Sequence, residues 1–194
     1  MDKAGSDNTI YTLIQVFREY IAYANYLTSE NSYKSAVSKL ESLNFAPNDV
    51  STFARLISRK YFSDMANYWT VGLFISSAIN KVIKEDDTIM LDFPSLGYPV
   101  DCIGYRLEHG KIVLQGNAGD YLGEAMSGGQ ITIQGNAGYY VGYSMSGGKI
   151  TIQGNAADHI GTYMSGGMVR IDDQIGSIAE SCRGRIYRGA ILLR

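Results

Sequence analysis

Four sets of residues in this 194-residue chain have types and spacings that chemistry uses. Ser146-Gly147-Gly148-Lys149 has the composition of a phosphate-gripping loop. A Walker loop needs Gly-x-x-x-x-Gly-Lys followed by Ser or Thr, so that backbone N–H groups, an ammonium and a hydroxyl converge on phosphate and metal. Here Lys149 is followed by Ile150, and its repeat equivalents are Gln130 and Met168, so a phosphate site is not expected. The dinucleotide fingerprint is absent as well, because the glycines follow Gly-x-x-Gly-x-x-x-Gly. Asp101, Asp120 and Asp158 share one repeat phase, with Tyr139 interrupting them. Paired carboxylates would serve acid–base chemistry on a sugar, but acids aligned along a repeat more commonly form a solvated corner. His109 and His159 fall in different phases, which argues against a metal cluster. Cys102 and Cys182 lie four coils apart, roughly 19 Å on a straight stack and beyond disulfide reach. The expectation is no catalytic residue, no metal and no cofactor.

The elements that position these residues are a tandem repeat. Gly116-Asn117-Ala118-Gly119 recurs as Gly135-Asn136-Ala137-Gly138 and as Gly154-Asn155-Ala156-Ala157, each 19 residues on. Gly123, Gly142 and Gly161 keep that offset, as do Met126, Met145 and Met164 and the pairs Gly128-Gly129, Gly147-Gly148 and Gly166-Gly167. A degenerate copy precedes them (Gly97, Gly104, Leu107, Gly110). Another follows through Gly176, Cys182, Gly184 and Ile186, about two residues short. Degenerate outer copies are the usual ends of a stacked repeat.

Each copy holds an alternating run, such as Gln130-Ile131-Thr132-Ile133-Gln134. Period two marks a strand, and nineteen residues are too few for a strand plus a helical crossover. The repeat therefore predicts a closed coil of short strands, stacked in parallel about 4.8 Å apart. The glycines are expected at its corners, where left-handed backbone is needed. Met126, Met145 and Met164 with Leu107 should fill the core, beside a second column of Ile103, Leu122, Val141 and Ile160. Asn117, Asn136 and Asn155 should form a ladder whose side-chain amides bond from rung to rung, and Ser127, Ser146 and Ser165 another column. A leucine-rich repeat would need Leu-x-x-Leu-x-Leu, which is absent.

Residues 1–88 read as helical. Ile10, Leu13, Ile14, Phe17 and Ile21 predict a helix of about five turns. Ser29 is placed as the N-cap of a second helix with Tyr33, Ala36, Val37 and Leu40, ended by Asn44 and Pro47. Asn48 or Asp49 would cap a third helix carrying Phe53, Leu56 and Ile57. A fourth, more apolar one is expected from about Ser63 to Lys84. Its stretch from Trp69 to Ile83 is broken by Ser76, Ser77, Asn80 and Lys81, so it reads as a buried helix and not a membrane span. Lys34, Lys39, Arg55, Arg59 and Lys60 make no convincing basic face for nucleic acid.

Composition agrees with a globular chain. Formal net charge is -2, with 45% hydrophobic and 19% charged residues. The charge is balanced by halves, 9 basic and 11 acidic in 1–96 and 8 and 8 in 97–194, which disfavours a nucleic-acid partner. Met1 leads into polar residues, so no secretory signal is expected and the cytoplasm is the expected location.

The repeat Gly116-Asn117-Ala118-Gly119-Asp120-Tyr121-Leu122-Gly123 with Met126-Ser127-Gly128-Gly129 resembles the GXGXG repeat family over about residues 97–190. Two members carry the resemblance: the β-helical subunit of formylmethanofuran dehydrogenase and the C-terminal domain of the large chain of glutamate synthase. It implies a right-handed parallel β-helix that scaffolds a multi-subunit oxidoreductase and holds no catalytic residue. The expected class is α+β, with a helical region at 1–88 and a β-helix of about five 19-residue coils at 89–194. The expected role is a non-catalytic assembly module with protein partners, such as the catalytic chains of an oxidoreductase. The rival readings are a stand-alone homo-oligomer with a binding or sensory role, and an enzyme acting at the Asp and Tyr corners.

Overall fold

A computed structural model describes residues 3–24, 27–60, 68–93 and 99–194. Four helices lead into a parallel β-solenoid of about five coils. The helices are α1 (Lys3–Ala24), α2 (Ser29–Leu40), α3 (Pro47–Lys60) and α4 (Tyr68–Val82). Thr28, not Ser29, caps α2, its hydroxyl accepting from the Asn31 N–H at 3.4 Å. An N-cap residue must itself be extended, and Thr28 is the residue with extended backbone. Pro47 opens α3 instead of closing α2, because a first-turn residue has no helical use for an N–H. Asp49 reaches back from inside α3 to accept from the Ala46 N–H at 2.8 Å. Val37 and Leu56, assigned by spacing to apolar faces, are solvent-exposed at 44% and 41%. Ser63, the expected start of the fourth helix, lies outside the described residues. Every residue from Thr70 to Ile79 is buried, as expected of the fourth helix. No described helix is long and apolar enough to cross a membrane.

Among the described residues the sheet has seven strands in chain order: β1 (Thr88–Asp92), β2 (Lys111–Gln115), β3 (Gln130–Ile133), β4 (Lys149–Ile152), β5 (Met168–Ile171), β6 (Arg185–Arg188) and β7 (Ile191–Leu192). Lys111 faces Gln130, Gln130 faces Lys149 and Lys149 faces Met168, each 19 residues on. Met168 faces Arg185, 17 residues on, which is the shortened last coil. The first coil is longer: Thr88 faces Lys111, an offset of 23. The stack thus begins at β1, ahead of the first recognisable copy of the repeat; Gly97 lies outside the described residues. β7 turns back antiparallel on β6, a closing hairpin that the repeat did not foretell.

Inward residues stack on near-copies of themselves. Ile89, Ile112, Ile131, Ile150, Val169 and Ile186 form one buried column, and Leu91, Leu114, Ile133, Ile152 and Ile171 a second. The expected columns of Leu107, Met126, Met145 and Met164, and of Ile103, Leu122, Val141 and Ile160, are buried as well. The helices cover the first coil, and one hydrophobic cluster runs from Ile10 in α1 through to Ile186 in the last coil. Gly72 lets α4 approach closely, since a Cβ there would overlap the Asp101 carbonyl. Ser76 of α4 donates to the Cys102 carbonyl at 2.9 Å and accepts from the Gly104 N–H at 3.0 Å.

Candidate functional site

The corner where the repeated Asn and Asp residues gather is built on a backbone alternation. Cys102, Tyr121, Tyr140 and His159 are left-handed, with φ between 55 and 64°. The glycines two residues on, Gly104, Gly123, Gly142 and Gly161, are left-handed at 68 to 76°. Arg106, Ala125, Ser144 and Tyr163, two residues further, are left-handed too. A left-handed non-glycine residue costs about 1–2 kcal/mol, yet the fold keeps two such columns. Their N–H groups are turned forward to the next coil: Tyr121 N–H donates to the Tyr139 carbonyl at 2.9 Å and Ala125 N–H to Tyr143 at 2.8 Å. Gly123 N–H donates backward, to Ile103 at 2.9 Å. The alternation thus ties each coil to both neighbours.

The eight glycines expected at corners divide in two. Gly116, Gly123, Gly142 and Gly161 are left-handed, as the corner reading requires. Gly119, Gly135, Gly138 and Gly154 are not; they are glycine because of what lies beside them. A Cβ on Gly135 or Gly154 would overlap the Oδ1 of Asn117 or Asn136, and one on Gly119 or Gly138 the Oδ1 of Asp101 or Asp120. These positions are empty to admit the polar ladders.

The asparagine ladder forms, but chiefly through backbone donors. Asn117 Oδ1 accepts the Asn136 N–H at 2.8 Å, Asn136 Oδ1 accepts the Asn155 N–H at 2.8 Å, and Asn155 Oδ1 accepts the Gln174 N–H at 2.9 Å. One amide–amide bond joins it, Asn155 Nδ2 to Asn136 Oδ1 at 3.0 Å. The aspartates are engaged in the same way. Asp101, Asp120 and Asp158 each accept, at 2.8 Å, the N–H of the next coil, from Asp120, Tyr139 and Ser177. Their repetition is explained by coil-to-coil bonding and needs no substrate. The Ser177 bonds hold Asp158 below the usual carboxylate range, while burial lifts Asp101 to about 6.

The histidines and cysteines stay apart. His109 Nε2 lies 2.8 Å from the Ile83 carbonyl, beside the helices. Cys102 and Cys182 are both buried and free. Among the described residues no three His, Cys, Asp or Glu side chains are grouped to hold a metal ion.

Beside the Asp column the corner carries an aromatic flank. The rings of Tyr121 and Tyr140 stack with centroids 4.9 Å apart and 11° between planes, and Tyr140 stacks on His159 with the same values. Trp69 of α4 continues the column at 5.3 Å from Tyr121. Tyr143 meets Tyr121 and Tyr163 edge-on at 5.7 and 5.6 Å, and Tyr163 is 64% exposed. The shared repeat phase of Tyr121, Tyr140 and His159, each 19 residues on, is the signal for this flank in the sequence. Glu124, in the Tyr143 phase, has a buried Oε2 without a hydrogen-bond partner. Desolvation lifts its carboxyl to about 7, against the lowering influence of Arg106.

Comparison with family models, with characterised proteins and with solved structures found no match for this chain.

Proposed function

We propose that the chain is a non-catalytic assembly module, a rigid solenoid that holds partner proteins. The observation that carries this reading is the engagement of the repeated polar side chains. The Asn and Asp columns, the strongest candidates for chemistry, bond the backbone of the next coil. The aromatic flank around Tyr143, Tyr163 and His159 supplies side chains of the kind enriched in protein interfaces. The resemblance to the GXGXG repeat family points to a multi-subunit oxidoreductase as the assembly. Self-association is the second reading, favoured by the consecutive exposed side chains of Ile191, Leu192 and Leu193.

Affinity capture of the full chain from its native host, followed by native mass spectrometry, tests the choice. The assembly reading expects a stoichiometric complex with a cofactor-bearing protein, lost in a Tyr143→Ala, Tyr163→Ala variant. A homo-oligomer with no other protein would favour the second reading. Turnover by the isolated chain, abolished in Asp120→Ala, would overturn both.

A further inference from the structure

A cleft lies where α2, α4 and the first coil meet. Its larger part, about 530 Å³, runs along α2 past Tyr33, Val37 and Leu40. A smaller part of about 240 Å³ continues beyond Tyr33 and Arg106 towards His109. Together they have the size of a small-molecule site. Arg106 stands in the overlap, and its guanidinium is fixed there. Nη2 pairs with Glu30 at 2.8 Å, and the group lies over the Tyr105 and Tyr33 rings, 5.5 and 6.0 Å from their centroids. Glu30 is shared: it also takes Lys34 at 3.1 Å and the Tyr105 hydroxyl at 3.0 Å. One carboxylate therefore serves two cations. Lys81 donates to the Leu40 and Glu41 carbonyls at 2.7 and 2.6 Å, so its charge faces main chain and no carboxylate. The Tyr33 hydroxyl accepts from Asn80 Nδ2 at 2.9 Å, which leaves its own hydrogen to donate. Two acids line the cleft itself, Glu41 in its larger part and Glu108 in its smaller part.

We propose that this cleft binds a small organic carboxylate with an apolar body. The carboxylate sits between Arg106, Lys34 and the Tyr33 hydroxyl, and the apolar body lies along Val37 and Leu40. Charge complementarity selects the anion, since Lys34 and Arg106 share the single carboxylate of Glu30, which leaves one positive charge over beside the Tyr33 ring. The exposed Val37, which packs in no core, gives the body an apolar wall. The site is independent of the assembly reading, because it lies on the helical side of the first coil.

Titration calorimetry on the full chain tests it, with phenylacetate, hexanoate, neutral phenylacetamide and inorganic phosphate as probes. Phenylacetate or hexanoate should bind saturably with Kd on the order of 1 mM, the range expected for ten or so heavy atoms. Phenylacetamide and phosphate should each bind at least about tenfold more weakly, as should either acid to Arg106→Gln. Val37→Glu, a change at an exposed position that leaves the core intact, should weaken the acids by a similar factor through like charge. The proposal is overturned if neither acid binds at about tenfold above that concentration, if phenylacetamide or phosphate matches the acids, or if folded Val37→Glu binds unchanged.

Discussion

In the solenoid the inward residues of the strands meet near-copies of themselves one coil away, whereas the helical cap has no such repetition. Ile131 lies between Ile112 and Ile150 in register, and Asn136 between Asn117 and Asn155. The cap instead fits together single large rings: Phe17 meets Phe53 and Phe74 edge-on at 5.5 and 5.2 Å, and Tyr20 packs on Phe74 at 5.1 Å. A stack built of neighbours distributes its stability over many equivalent contacts. A core built around a few rings concentrates it. The two are joined at the first coil, where Gly72, Ser76 and Ile83 of the cap meet Asp101, Cys102 and Gly110.

The largest expected effect is therefore in the cap. Phe74→Ala removes the ring that Phe17, Tyr20 and Phe53 all touch, and should cost about 4 kcal/mol in urea denaturation. Met145→Ala, within one equivalent column, should cost about 3 kcal/mol, because neighbouring coils relax only partly into the space. Equal losses at the two positions would show that the cap does not concentrate stability. Gly72→Ala places a methyl against the Asp101 carbonyl and should cost about 2–3 kcal/mol. It should also split a single unfolding transition into two, as the cap separates from the stack.

Acidity separates the regions further. Burial raises the Glu124 carboxyl to about 7 from 4.5. The folded chain then holds this proton over a range in which the unfolded chain has released it. The Glu124 contribution to stability is fullest below about pH 4.5 and is lost as pH rises to about 7, roughly 1–2 kcal/mol once solvent screening of a part-exposed group is allowed for. Thermal melts between about pH 5 and 7.5 should show this decline, and Glu124→Gln should reduce it to the part owed to Asp101, whose carboxyl burial lifts to about 6. The smallest effect is in the ladder. Asn136→Ala removes acceptors for one backbone and one side-chain donor at an exposed rung and should cost about 1 kcal/mol. A cost above that of Met145→Ala would make the ladder, not the core, the main support of the stack.

Much of the solenoid was legible in the sequence because its period repeats the same physical demand three times over. The Met and Ile columns, the strand runs and the short last coil follow from spacing alone. The left-handed Tyr and Ala columns were not legible, since nothing in Tyr121 or Ala125 favours φ > 0; the forward hydrogen bond to the next coil imposes it. The glycines at 119, 135, 138 and 154 looked like corners because sequence does not distinguish a glycine needed for its backbone from one needed for its missing Cβ. In the cap, helix spacing located all four helices but misjudged Val37, whose exposure depends on where α4 and the first coil leave a cleft.

That the repeated polar side chains hold the stack together can be read from hydrogen exchange at the amides of Asn136, Tyr139, Asn155, Gln174 and Ser177. These residues are exposed, and their N–H groups are bonded by Asn and Asp side chains of the preceding coil. All five should exchange slowly, and Asn136→Ala should remove protection selectively at Asn155. Exchange in the native chain at the rate of an unstructured peptide would mean that these side chains are free for other work, and that the ladders do not join the coils.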